Sequence, residues 1–195
     1  MNPLSEIGIY LAQAIGSFYL LIVVARFLFQ LARVDFYNPV SQFVVKATNP
    51  PLIRLRKVVP GFGGLDLSSL VLALLVSVTT ILLSGLFIGA LLNPLLVIAW
   101  ATLGIISMIS WIYYIGLFVM IILSFVAPLS RNPFAVLVQQ LLYPVCRPFQ
   151  RILPPMGGLD FSPILIFISI NVLHILLRHF AAALALPSGI VPGFF

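Results

Sequence analysis

Two aspartates occupy the same place in a phrase that the chain writes twice: Gly63-Gly64-Leu65-Asp66-Leu67-Ser68 and Gly157-Gly158-Leu159-Asp160-Phe161-Ser162, each at the mouth of an apolar run. A carboxylate so placed has two kinds of work open to it. It can accept hydrogen bonds from the unsatisfied amides of a first helical turn and oppose the positive end of the helix dipole, with Ser68 and Ser162 as additional acceptors. Alternatively, two carboxylates close to an internal twofold axis can pair with arginines or bind a cation. The glycine pair ahead of each would let the chain turn sharply and approach a neighbour closely.

Arg26 is the other conspicuous charge, placed inside the first apolar stretch. A charge at that depth must find water, a carboxylate or backbone carbonyls. It can snorkel toward the headgroups on its aliphatic stem, or pair with Asp35, Asp66 or Asp160. In the last apolar stretch His174 and Arg178 share a helix face at i, i+4 spacing, with His179 beside them, while Asn171 is placed to hydrogen-bond to a neighbouring helix. Cys146 is the only cysteine and there are two histidines, so no internal disulfide or Cys-based metal site can form, and a haem or metal ligand lacks a partner. The chain has no Gly-x-Ser-x-Gly, no Walker lysine and no His-Glu-x-x-His, and its four acidic residues are too few for an acid-base constellation. The expectation is therefore no catalytic residue, no metal and no cofactor.

The elements that must hold these groups are membrane helices. Of the 195 residues, 62% are hydrophobic and 7% charged, far outside the range of a soluble globular chain. Four stretches have the roughly 20 apolar residues needed to cross a bilayer, approximately Ile7 to Ala32, Leu67 to Leu92, Leu95 to Ala127 and Phe161 to Leu186. The third is longer than needed and leaves room for tilt, extension or a break near Trp111 to Gly116. The opening Met-Asn-Pro-Leu-Ser-Glu has no basic lead and the run behind it is too long for a cleavable signal, so the first helix is expected to remain. Trp100, Trp111, Tyr113 and Tyr114 fit interface anchoring or bundle packing; Ser84, Gly85 and Gly89, like Gly104, Ser107 and Ser110, offer small faces for close helix approach.

The net charge of +6 is concentrated between crossings. Arg33, Lys46, Arg54, Arg56 and Lys57 follow the first, and Arg131, Arg147 and Arg151 follow the third, whereas the turn at Asn93-Pro94 has none. The positive-inside bias then places both long loops in the cytoplasm and both termini outside, periplasmic in a Gram-negative cell. Anionic lipid headgroups are the expected contact of these residues, and nucleic acid is not.

The chain also repeats itself. The step from Asp66 to Asp160 is 94 residues, and the same step aligns Asn38-Pro39 with Asn132-Pro133, Pro50 with Pro144, Pro60 with Pro154, and Lys57 with Arg151 without a gap. Two copies of one unit result, dividing at residues 1–93 and 94–195: helix, Asn-Pro turn, basic amphipathic segment, Gly-Gly-Leu-Asp turn, helix. Because each unit makes two crossings, the copies are parallel, and the pseudo-twofold axis runs along the membrane normal. Pro50 and Pro51 in the first middle segment, and Pro144 and Pro148 in the second, predict two short helices in each rather than one. These segments read as interfacial or re-entrant, with packing against the transmembrane bundle as the alternative.

The set formed by Arg26 late in the first helix, the Asn-Pro-Pro-Leu-Ile-Arg-Leu-Arg-Lys-Val-Val-Pro segment (Asn49 to Pro60), the first Gly-Gly-Leu-Asp and the later Tyr143 to Pro163 stretch resembles the YggT family of bacterial membrane proteins. The resemblance spans nearly the whole chain in its two-repeat form. It implies an all-α integral protein of the bacterial inner membrane, with four transmembrane helices in two tandem helix-loop-helix repeats and amphipathic interfacial segments. Relatives are linked to osmotic tolerance and potassium uptake, to cell division, and in plastids to haem attachment or nucleoid partitioning; no activity of the family is established as an enzyme reaction. The sequence departs from its own repeat at Met120, which stands in the place of Arg26, and at Ser69, where the second copy has Pro163. The leading expectation is a non-enzymatic factor of membrane organisation, assembly or osmotic adaptation, docking membrane-protein partners or further copies of itself through its basic loops. A channel or transport-related protein of potassium homeostasis is the alternative.

Overall fold

A computed structural model describes residues 2–61, 65–126, 132–153, 160–187 and 189–194. Six helices follow one another: α1 (Pro3–Leu31), α2 (Pro39–Leu55), α3 (Leu67–Ile88), α4 (Pro94–Val126), α5 (Pro133–Ile152) and α6 (Ser162–Ala183). Of these, α1, α3, α4 and α6 are long and apolar enough to cross a membrane. The all-helical reading holds, and α4 runs unbroken through Trp111 to Gly116.

Four helices open on the same dipeptide. Asn2, Asn38, Asn93 and Asn132 each accept a hydrogen bond from the amide two residues on, at 2.9 to 3.2 Å, while the proline between them occupies a first-turn position whose missing amide costs nothing. At its other end α3 stops at Gly89, which takes a left-handed φ of 70°. Helix α1 closes in the same way at Arg33, where φ is 54° and the Val34 amide reaches back to the Phe29 carbonyl. A side chain in that conformation costs on the order of 1 kcal/mol relative to glycine.

The expectation of two short helices in each middle segment is corrected. Helix α2 continues through Pro50 and Pro51, and α5 through Pro144 and Pro148. Pro50, Pro144 and Pro148 lie on exposed surface, so the carbonyls that lose their amide partners are reachable by water or headgroups rather than stranded in a core. The opposite side of each segment is buried: Val44, Thr48 and Leu52 in α2, and the equivalent Val138, Leu142 and Cys146 in α5. The middle segments thus pack against the bundle, as the alternative reading had it.

Within the first copy α1, α2 and α3 pack mutually, and so do α4, α5 and α6 in the second; α1–α4, α3–α4 and α2–α5 contacts join the two. The central core, including Leu20, Val23, Val24, Leu72, Ile105 and Met108, draws on both copies. Outside it, large apolar side chains such as Phe18, Leu86, Phe118 and Phe180 are exposed around the bundle, the surface that a hydrocarbon solvent requires.

The segment after α6 does not trail away. Ile190 and Val191 are buried with Trp100 and Ala101 of α4, Gln13 Nε2 of α1 donates to the Ile190 carbonyl at 2.6 Å, and Trp100 Nε1 donates to the Leu184 carbonyl at 3.1 Å. Gly104 makes this possible, because a β-carbon there would lie 2.6 Å from the Pro192 carbonyl oxygen. Backbone cannot yield as a flexible side chain can. Gly104→Val is accordingly expected to expel the tail and lower the melting temperature in detergent by several degrees. Protease digestion should then release a C-terminal fragment that the parent protein retains; an unchanged digest would show that the tail is not held there.

Candidate functional site

The Asp66 carboxylate ties the end of α2 to the start of α3. Asp66 is 4% exposed; its Oδ1 accepts the Ser69 amide at 3.3 Å, and its Oδ2 accepts Ser69 Oγ at 2.7 Å and Arg56 Nη2 at 2.6 Å. Burial pushes the carboxyl pKa up, but the hydrogen bonds from Arg56 and Ser69, with the charge of Arg56, outweigh it and hold the group below its ordinary value. Ser68 has a different task from the acceptor role expected of it. Its hydroxyl donates to the Val59 carbonyl at 2.7 Å, clasping the end of the loop to the helix.

The second copy repeats the geometry with weaker chemistry. Asp160 Oδ1 accepts the Ser162 amide at 2.8 Å, and Oδ2 accepts Gln150 Nε2 at 2.8 Å. Gln150 is the counterpart of Arg56 and Pro163 that of Ser69, so a neutral amide replaces an ion pair and one hydroxyl donor is lost. Asp160 is also exposed. Burial again raises its pKa, and hydrogen bonds from Ser162 and Gln150 again bring it below the ordinary value. Each aspartate is thus occupied within its own copy, but only Asp66 is the N-cap of its helix: α6 is capped at Phe161 with no side-chain hydrogen bond, and Asp160 stands one residue further out. Gly63, Gly64, Gly157, Gly158 and Arg131 lie outside the described residues.

Arg26 is 8% exposed and makes no ion pair among the described residues. Its Nη1 donates to the Val45 carbonyl at 3.1 Å and to Thr48 Oγ1 at 3.0 Å, both on α2. Pairing with Asp35, Asp66 or Asp160 is corrected: the one ion pair among the described residues joins Arg56 to Asp66, and Asp35 Oδ1 accepts the Tyr37 amide. The oxygens that Arg26 meets belong to α2, so its guanidinium is engaged at the α1–α2 contact.

Lys46, Arg54, Arg56, Lys57, Arg147 and Arg151 are all exposed on α2, α5 and the turns that end them. Cys146, by contrast, packs with Leu117 and Ile166; burial, with the charge of Asp160, pushes its thiol up to about 11, which keeps it protonated and unreactive.

A second polar locus lies in the other half of the bundle. His174 Nε2 is 2.8 Å from Ser110 Oγ and its ring stacks on Trp111 with centroids 5.1 Å apart. A cavity of about 220 Å³ beside it is lined by Ser107, Tyr114, Asn171 and Arg178. Asn171 donates to the Phe167 carbonyl of its own helix at 2.8 Å rather than to a neighbour. No group of three or more His, Cys, Asp or Glu able to hold a metal occurs among the described residues.

Sequence reasoning missed Arg56 as the partner of Asp66, Thr48 as that of Arg26, and Gln13 as the anchor of the tail. The first had a signal: in the 94-residue alignment Arg56 falls on Gln150, ten residues before an aspartate in both copies. The other two had none, since only packing brings those residues together.

A family model described as CCB3/YggT matches the chain twice, over residues 5–87 and 99–181. The chain is 43% identical over 188 residues to the Pseudomonas aeruginosa protein PA0392, covering 94% of each. It is 36% identical over 177 residues to YggT of Escherichia coli K12, which covers 89% of this chain and 88% of that one. A Vibrio alginolyticus protein from the proC 3' region is 34% identical over 181 residues, 91% of this chain and 94% of the other. No solved structure matches the chain.

Proposed function

The chain belongs to the CCB3/YggT family, and from that premise and the geometry above we propose that it is a non-enzymatic inner-membrane factor that organises or assembles partners through a basic cytoplasmic face. The carrying observation is the two-sidedness of α2 and α5. Their apolar sides are consumed by the bundle, while Lys46, Arg54, Lys57, Arg147 and Arg151 project from the other side. Such a face attracts acidic partner surfaces and anionic headgroups alike. The packed apolar centre of the bundle supports docking over conduction, because Leu20, Val23, Leu72 and Ile105 close together there and the buried polar groups of α3 and α4 are serine and threonine hydroxyls.

Crosslinking in membranes tests this reading. Changing Arg54, Lys57, Arg147 and Arg151 together to glutamine should abolish the crosslinked partner bands of the parent protein at equal abundance. In potassium-loaded liposomes, the purified protein should give no saturable flux; a flux removed by Asp66→Asn with Asp160→Asn would replace docking by transport. The orientation belongs to the same proposal, and a reporter fused after Phe195 that works only in the cytoplasm would reverse it.

A further inference from the structure

Where α1 meets α2, Arg26 carries a buried charge that no carboxylate among the described residues contacts as an ion pair. Its two hydrogen bonds, both from Nη1, leave the rest of a five-donor guanidinium unused. Next to it lies a cavity of about 280 Å³, whose polar lining is Arg26, Gln30, Arg33 and Ser41 and whose apolar lining includes Phe29, Val34 and Phe36. Ser41, which lines the cavity, is 4% exposed, and its buried hydroxyl has no hydrogen-bond partner. No acidic residue lines the cavity, so a cation is excluded by two arginines and an anion is invited by them.

The duplication shows that the fold does not need these groups. Met120, Ala127, Ala135 and Leu142 stand in the second copy where Arg26, Arg33, Ser41 and Thr48 stand in the first. Ala135 and Leu142 are buried at the corresponding places, with no polar group to satisfy. Arg33 moreover keeps a left-handed φ of 54° that glycine would adopt freely, which sets its guanidinium at the cavity. Polar groups that are dispensable for folding, unpaired and convergent on one cavity are the signature of a ligand site.

We propose that this cavity binds the phosphate group of an anionic phospholipid. Arginine forks match phosphate oxygens, and the Ser41 hydroxyl supplies a further donor. Arg26 stands five residues, about 7.5 Å along the helix, before the end of α1, so the cavity opens near the depth at which headgroups meet hydrocarbon. The phenylalanine and valine wall suits the glycerol and first acyl carbons of a lipid rather than a free, fully hydrated phosphate ion. The site is separate from the exposed basic face and stands whether or not that face docks proteins.

Native mass spectrometry and melting curves of the full-length protein in mild detergent, with phosphatidylglycerol or inorganic phosphate added, provide the test. Phosphatidylglycerol should be retained by the parent protein and raise its melting temperature, with affinity falling at least about tenfold in Arg33→Gly and in Ser41→Ala, and retention lost in Arg26→Met. Arg33→Gly relieves the left-handed strain, so its loss of lipid cannot be blamed on misfolding. Thr79→Ala, on the exposed side of α3 and outside both the cavity and the basic face, should bind as the parent does. Equal retention by the parent, Arg33→Gly and Ser41→Ala would overturn the proposal, as would a melting shift with inorganic phosphate matching that with lipid, which would give the site to soluble anions. None of these variants alters Arg54, Lys57, Arg147 or Arg151, so failure here leaves the docking test untouched.

Discussion

Gly16→Leu is expected to be the most damaging single change in the bundle. A β-carbon at Gly16 would lie 2.9 Å from Thr80 Cβ and closer still to Thr80 Oγ1 and Cγ2, across the α1–α3 interface. Thr80 cannot swing away freely, because its hydroxyl is bonded to the Val76 carbonyl at 2.8 Å and its branched β-carbon restricts the rotamer. Overpacking of this sort costs about 3 kcal/mol at the upper end of its range. Thermal unfolding in detergent should show the loss as a fall of several degrees, about 2–4 °C for each kcal/mol in a chain of this size. Gly8→Ala offers the contrast: the atoms it would meet belong to the ring of Phe87, the far end of a side chain that can turn. Pairing Gly16→Ala with Thr80→Ala should recover part of the stability lost by Gly16→Ala alone. Were Gly16→Leu to melt within about one degree of the parent, the close approach of α1 and α3 would be wrong.

Asp66→Ala and Asp160→Ala should differ although the sequence writes the two aspartates alike. Removing Asp66 strips the first turn of α3 of its acceptor and leaves Arg56 and the buried Ser69 hydroxyl without their partner. A lost cap costs about 1 kcal/mol, and the ion pair adds about as much again once the partial exposure of Arg56 is allowed for. Asp160, exposed, one residue outside the cap of α6 and held by a neutral amide, should cost less than about 1 kcal/mol. Acid separates them further. The pKa of Asp66 is depressed in the folded protein, so its stabilisation is complete above the unfolded carboxylate value near 3.9 and is lost as the pH falls through the folded one. The difference in melting temperature between the parent and Asp66→Asn should therefore be constant at neutral pH and shrink below about pH 4. A difference that widened in acid would contradict the assigned ion pair.

Much of this architecture was legible in one dimension. Hydropathy counts crossings because a bilayer has a fixed thickness and forbids unsatisfied backbone, and Asn-Pro marks helix starts because cap and proline act within two residues. The duplication was legible for the same reason, being a comparison of the chain with itself. Prolines 50, 51, 144 and 148 misled the reading because a proline's cost depends on what faces the carbonyl it orphans. In α2 and α5 the exposed side absorbs that cost.

What the sequence determined by itself was the number and order of the four long apolar helices, the duplication, and the family. What only the tertiary structure decided was which groups meet. Arg26 had three aspartates to choose from in the sequence and was given Thr48 and a carbonyl of α2. Asp66 obtained an arginine where Asp160 obtained a glutamine, and the apolar tail was drawn against Gly104 and Gln13. The reason is geometric: hydropathy and capping act through local spacing, whereas a side chain's partner is set by how distant helices pack, and a few ångströms there decide between an ion pair, a hydroxyl and a backbone carbonyl.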